Sequence, residues 1–258
     1  MQGIPVLLAI ILVLVTSSFL LILQRNTGRL IPNAKTANKN REPTFVIAGP
    51  SYSGKTCLYN LLTMDKLRNT VMSQEPSVTH SFKLPGSPAV RLMEFPGHLK
   101  LRGKLLTELK NSTNIKGLIY VIDSTVDPKE LTKTAEFLFQ IIQLTEREKN
   151  GVDILLACNK SDSFAARQPL KIKSVLETEI EKIIQRKRNS LDTVSGSLNR
   201  TNEGEDKEES EWDNMELFES ANGFRFEVLE GNVDAFEGSV SKRNIGKWDC
   251  WIRERAVN

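Results

Sequence analysis

Apolar residues fall along this chain in separate blocks, and the first block differs from all the others. Ile4 to Leu23 is an uninterrupted run of apolar and hydroxyl residues with no charge. At 1.5 Å per residue it is long enough to cross about 30 Å of hydrocarbon, so it predicts a transmembrane anchor over 4–23 behind a short tail, 1–3. A cleaved signal peptide fits less well, because no positively charged segment precedes the run and the run exceeds the usual apolar core of such a leader. Arg25, Arg29, Lys35, Lys39 and Arg41 all follow it, which places the bulk of the chain on the cytosolic side. That orientation demotes the sequons Asn111-Ser112-Thr113 and Asn199-Arg200-Thr201, which need a luminal location. Residues 24–42 are polar without a helical period and read as a tether.

The later blocks are shorter. Phe45 to Ala48, Gly117 to Asp123 and Val152 to Cys158 are continuous apolar runs of strand length, and Val90 to Phe95 alternates before stopping at Pro96-Gly97. Between them, Cys57 to Leu62, Leu99 to Leu109, Pro128 to Leu144 and Pro169 to Arg188 repeat apolar residues at helical spacing, and Pro128 suits a first turn. Leu67 to Pro88 is polar with three prolines and predicts a mobile loop around one short strand near Ser81 to Leu84. Ser190 to Ser220 carries the acidic patch Glu203 to Glu209 and predicts a disordered insertion at about 190–220. Phe224 to Leu229 and Val233 to Phe236 resume strand patterning. Ile245 to Ala256 predicts a closing helix with Trp248, Trp251 and Ile252 on one buried face. Strands alternating with helices predict an α/β domain over 43–258, its sheet mostly parallel and covered on both faces. A ligand then belongs at the carboxyl ends of the strands.

Charge and composition narrow the partners. A formal net charge of +3 over 258 residues, with no basic stripe interleaved with aromatics, gives no support to nucleic-acid readout. Cys57, Cys158 and Cys250 lack metal-ligand spacing and are odd in number, which fits a reducing compartment. With His80 and His98 as the only histidines, no histidine-rich metal site is available.

The chemistry concentrates in GPSYSGKT, Gly49 to Thr56, between the first of the short strands and a helix. It fits the phosphate-loop pattern G-x-x-x-x-G-K-[ST], which arises by chance in about one chain in a hundred of this length. Gly49 and Gly54 leave room for backbone N–H groups to curl around a phosphate. Lys55 adds a cation for the β- and γ-phosphates, and Thr56 offers a hydroxyl to Mg²⁺ at a helix N-terminus. Gly49, Ser51, Tyr52, Ser53, Gly54, Lys55, Thr56 and Cys57 therefore form the expected phosphate-side set. About a hundred residues on, Asn159-Lys160-Ser161-Asp162 matches N-K-x-D at a strand end. A carboxylate at Asp162 accepts both the N1–H and the exocyclic amine of guanine, favouring GTP over ATP.

With these motifs the chain resembles the small Ras-like GTPases, near their Arf and Sar branch, and within them the signal recognition particle receptor beta subunits. The resemblance is carried by the anchor Ile4 to Leu23, GPSYSGKT, SQEPSVTHS, FPGH at Phe95 to His98, CNKSD at Cys158 to Asp162, and EGSVSK at Glu237 to Lys242. It implies a Ras-like phosphate-loop GTPase fold with a six-stranded sheet, and GTP and Mg²⁺ as cofactors. It further implies a switch at the endoplasmic reticulum membrane that holds the N-terminal domain of the receptor alpha subunit, with translocon and ribosome as further contacts. Residue by residue, it implies that Thr79, or in its place Ser77, completes Mg²⁺ coordination beside Thr56. Gly97 gives its N–H to the γ-phosphate, Lys160 lies along the base, and Ser239 and Val240 face the guanine oxygen. Glu94 stands where the family has an aspartate that reaches Mg²⁺ through water, and Gly-Ser-Val stands at 238–240 for the commoner Ser-Ala. His98 occupies the place of a water-orienting glutamine, either as a catalytic group or as a hydrogen-bonding support of the switch loop. Slow intrinsic hydrolysis follows. Two other readings stay open: an Arf- or Sar-like trafficking GTPase, and a nucleotide-gated docking subunit with negligible turnover.

Overall fold

A computed structural model describes residues 42–68, 70–147, 151–195 and 223–257. The predicted anchor, nearly all of the tether, and residues 196–220 of the expected insertion lie outside the described residues. Among the described residues no helix is long and apolar enough to cross a membrane.

Strand β1 (Thr44–Ala48) leads through the phosphate loop into helix α1 (Lys55–Met64), followed by β2 (Ser77–Phe82) and β3 (Val90–Glu94). A 3₁₀ turn (Leu99–Leu101) opens α2 (Arg102–Asn111), then come β4 (Ile115–Asp123), α3 (Pro128–Thr145), β5 (Ile154–Asn159) and α4 (Pro169–Ser195). A second 3₁₀ turn (Phe226–Val228), β6 (Val233–Glu237) and α5 (Gly246–Val257) complete the described chain. The strands lie in the order β2-β3-β1-β4-β5-β6, six in one sheet, with only β2 antiparallel to its neighbour.

Side-chain parity along the strands divides the core between two faces. Leu118, Tyr120 and Ile122 of β4 point into one cluster with α2, α3 and α4, while Ile119 and Val121 point into the other with α1 and α5. Every residue of β1 is buried because it pairs on both edges and is covered on both faces, as a parallel central strand must be. Trp248 and Trp251 of α5 are buried as the helical stripe predicts, and their indole N–H groups donate to the Phe236 carbonyl at 3.1 Å and to Asp234 at 2.9 Å.

Three sequence-based expectations are corrected. The strand expected near Ser81 to Leu84 runs from Ser77 to Phe82; as an edge strand it buries Phe82 alone, so its polar residues conceal it. Phe224 to Leu229 is not a strand. Phe224 and Phe226 pack edge to face at 5.4 Å, and Glu177 and Glu181 of α4 take the backbone N–H groups that a sheet would have used. Helix α4 continues past Arg188 to Ser195, into the first residues of the expected insertion.

Candidate functional site

The phosphate loop joins the buried end of β1 to α1 at the carboxyl end of the sheet. Gly49 and Gly54 hold φ of 141° and 98°, and Tyr52, at 62°, turns its ring to solvent. A Cβ on Gly54 would stand 2.3 Å from Asn159 Nδ2, so this position demands glycine for space as well as for conformation. The Ser53 hydroxyl donates to the Pro50 carbonyl at 3.0 Å and closes the loop from inside. Gly97 lies against the same loop: a Cβ there would approach the Pro50 carbonyl carbon to 2.5 Å and Ser51 N to 2.6 Å.

Lys55 is buried and its Nζ donates to the Pro50 carbonyl at 2.7 Å. Burial pulls its ammonium down to about 8; Glu94 works against that fall and Arg102 adds to it. Glu94 is 0% exposed at the end of β3, and burial raises its carboxyl, with Lys55 the main opposing influence. Its Oε1 accepts from the Thr56 hydroxyl at 3.1 Å, while Oε2 is buried without a hydrogen-bond partner. The Ser73 hydroxyl lies 2.9 Å from that of Thr56. A cavity of about 130 Å³ opens over these groups, lined among others by Lys55, Thr56, Ser73, Glu94 and Gly97.

The second half of the site is built from the ends of β4, β5 and β6. Asn159 donates Nδ2–H to the Ser53 carbonyl at 2.8 Å and accepts from the Val240 N–H at 3.0 Å, tying the phosphate loop to the turn after β6. Lys160, at φ 63°, donates to the Asp123 carboxylate, which also accepts from the Thr125 N–H and hydroxyl at 2.9 and 2.7 Å. Burial works to raise the Asp123 carboxyl, and the bonds from Lys160 and Thr125 outweigh it, leaving it below its ordinary range. Asp162 is exposed to the cavity and held by hydroxyls of Ser239 at 2.6 Å and Ser241 at 3.3 Å; the Ser239 bond chiefly lowers its carboxyl. A cavity of about 540 Å³ is lined by Asn159, Lys160, Asp162 and Val240 on this side and reaches Gly54 and Cys57. A phosphate-sized recess and a base-sized one thus meet at Gly54.

Comparison with known proteins follows that geometry. The model of the signal recognition particle receptor beta subunit family matches residues 40–233. The Saccharomyces cerevisiae receptor subunit beta is 44% identical over 251 residues, 96% of this chain and 97% of the yeast one. The chain belongs to the signal recognition particle receptor beta subunit family. Among solved structures, the mammalian signal recognition particle receptor superposes with a TM-score of 0.66 at 25% identity, covering 82% of this chain and 99% of that one. The SRb-GTP/SRX complex of Chaetomium thermophilum gives 0.61 at 23%, covering 83% and 99%, and supports the Ras-like fold alone.

Within this beta-subunit frame the structure separates the residues singled out in the sequence. Ser51, Tyr52, Gly54, Lys55, Thr56, Glu94 and Gly97 line the smaller cavity, with Gly49 and Ser53 in the loop that bounds it, and Cys57, Asn159, Lys160, Asp162 and Val240 line the larger, with Ser239 behind Asp162. Thr79 stands apart: its hydroxyl meets Tyr59 Oη at 2.7 Å, a turn further along α1. Ser77 faces Glu94 across the β2–β3 ladder, so in this conformation Ser73 and Ser77, not Thr79, are the hydroxyls beside Thr56 and Glu94. His98 caps the 3₁₀ turn, its Nδ1 accepting from the Lys100 N–H at 3.3 Å, so Nε2 carries the ring proton when the ring is neutral. Ser73 and Ser241 stand inside SQEPSVTHS and EGSVSK, but sequence reasoning gave neither a role, and it passed over Thr125; all three are hydroxyls on irregular backbone with no periodic signature. Asp123 was visible as an acid ending a strand, a signal shared by many turns.

Proposed function

We propose that this chain is a membrane-anchored GTP-binding switch that holds the receptor alpha subunit at the endoplasmic reticulum. The observation that carries the reading is Asn159, whose single carboxamide joins the phosphate loop to the turn that holds the base-reading Asp162. Phosphate cradle and base pocket are thereby tied to each other and meet at Gly54. Residues 4–23 supply the anchor, 24–42 the tether and 43–258 the GTPase domain.

The roles of the side chains follow from their positions. Loop N–H groups and Lys55 surround the β- and γ-phosphates, and the buried ammonium leaves its Pro50 carbonyl for the stronger phosphate bond. The donor set fits Mg²⁺: the hydroxyls of Thr56 and Ser73 and a buried carboxylate with one unsatisfied oxygen are all hard oxygen ligands. When bound, the ion neutralises charge on the β- and γ-phosphate oxygens. Thr56, Ser73 and Glu94 are the residues that would hold it, with Ser73 as the switch I hydroxyl. Gly97 donates its N–H to the γ-phosphate, so the segments bearing Ser73 and Gly97 are ordered only while that group is present. Order in those two segments is what the alpha subunit reads.

One observation favours the docking-subunit variant of this reading, with very slow turnover. His98 spends Nδ1 on its own backbone turn and does not line the phosphate cavity.

Base exchange tests the central assignment. Asp162→Asn replaces an acceptor by an amide donor, which suits the 2-carbonyl of xanthine and opposes the 2-amine of guanine. The variant is expected to bind XDP more tightly than GDP, and an unchanged preference for GDP defeats the reading.

A further inference from the structure

The larger cavity has an outer wall that no nucleotide motif accounts for. Leu67 and Arg68 line it together with Asn159, Lys160, Asp162 and Ser241. Leu67 is 42% exposed, a large apolar side chain left open at the edge of a polar recess. A planar base seated on Asp162 would cover it, which accounts for its being apolar.

This wall is held at both ends. Ahead of it, Asp65 caps α1 in the left-handed region at φ 51°, its N–H on the Leu61 carbonyl. Arg243 grips that corner twice, Nη1 on Asp65 Oδ1 at 2.9 Å and Nη2 on the Asp65 carbonyl at 3.1 Å. Behind it, the Cys57 thiol lies 3.1 Å from the Thr70 hydroxyl. Arg243 is itself left-handed at φ 55°, in the turn closed by reciprocal Ser239–Asn244 backbone bonds of 3.0 and 2.9 Å. That turn also positions Asp162 through Ser239 and Ser241. The loop that reads the edge of the base therefore grips the wall that would meet its face.

We propose that the Asp65–Arg243 pair is a latch that closes residues 66–68 over the base pocket and sets how long a guanine nucleotide stays bound. The inference rests on the GTP-binding reading above and adds residues outside its motifs. An ion pair this exposed contributes little to global stability. Its influence falls on the local opening through which the base leaves.

The test is release of mantGDP from the full-length, detergent-solubilised chain, chased with excess unlabelled GDP. Asp65→Asn and Arg243→Asn keep a residue that tolerates the left-handed backbone. Each is expected to release mantGDP about five-fold faster, the scale of one well-oriented surface pair. The double variant should be no faster than Arg243→Asn alone, since that substitution already removes both bonds to Asp65. Leu67→Ala should release as fast with the latch intact, and Asp65→Asn added to it should change nothing further. The nucleotide-free melting midpoint should stay that of the wild type in the latch variants. Wild-type release rates in both single variants, or effects that simply multiply in the double, overturn the latch. Failure of the wild type to bind mantGDP at all overturns the GTP-binding reading beneath it.

Discussion

Asn159 Nδ2 sits 2.8 Å from the carbonyl oxygen of Ser53, a hydrogen bond that spans 106 positions of sequence. Together with the Val240 N–H on its Oδ1, it makes one buried side chain the rivet between two loops. Asn159→Ala removes two net hydrogen bonds and strands a buried carbonyl and a buried N–H, a loss of about 2 kcal/mol. The expected result is a lowered melting midpoint in the nucleotide-free protein, together with weaker GDP binding by equilibrium fluorescence titration because the two loops are no longer tied. Asn159→Asp should be worse, because it sets a carboxylate oxygen against the Ser53 carbonyl.

The hydroxyl and the carboxylate bonded to Thr56, those of Ser73 and Glu94, make a separable prediction about Mg²⁺. Ser73→Ala and Glu94→Gln should each abolish most of the difference in mantGTP release between Mg²⁺ and EDTA buffers. Thr79→Val should leave that difference intact and instead lower stability by about 1 kcal/mol, the value of its bond to Tyr59. A metal effect lost in Thr79→Val and kept in Ser73→Ala would return the ligand role to Thr79.

His98 is expected to matter little without a partner. In single-turnover hydrolysis, His98→Ala should stay within about three-fold of the wild type, since positioning and electrostatics supply most of phosphoryl-transfer catalysis. A fall of a hundred-fold would make the imidazole a catalytic group.

The three cysteines should separate under alkylation. Burial pushes the Cys158 thiol up to about 12, with Glu237 adding to the rise, so it stays protonated at pH 9 as well as sequestered. Iodoacetamide at pH 9 should modify exposed Cys250 first and Cys57 next, and leave Cys158 intact in the folded protein. Bound GDP should protect Cys57, which borders the larger cavity. Peptide mapping by mass spectrometry reads all three.

Legibility in the sequence followed burial. β1, β4 and β5 were visible because a strand covered on both faces has nothing but apolar residues to offer, and α5 because its two tryptophans share a stripe. β2 was displaced by several residues since only Phe82 of its six is buried, and an edge strand needs no alternation to pair on one side. Phe224 to Leu229 imitated a strand because two buried aromatics two residues apart suit a tight turn as well as a pleat. The same logic divides the site. Gly54, Lys55, Thr56 and Asp162 sit in motifs whose spacing is dictated by one continuous backbone. Ser73, Ser241 and the Asp65–Arg243 pair owe their partners to contacts between separate segments, which no local pattern records, while Thr125 sits in a two-residue turn onto Asp123 of a kind that many loops share.

The place of β1 in the sheet also settles how the domain bears load. Thr44 begins the strand and Gly49 follows its far end, and between them β1 is bonded in parallel to β3 on one edge and β4 on the other. A pull on the backbone at Glu42, opposed by anything gripping the nucleotide end, would run lengthwise along β1. Both ladders would then be sheared at once, and their bonds would have to fail together, not one after another as in unzipping. A central parallel strand makes the fold stiff along that one axis.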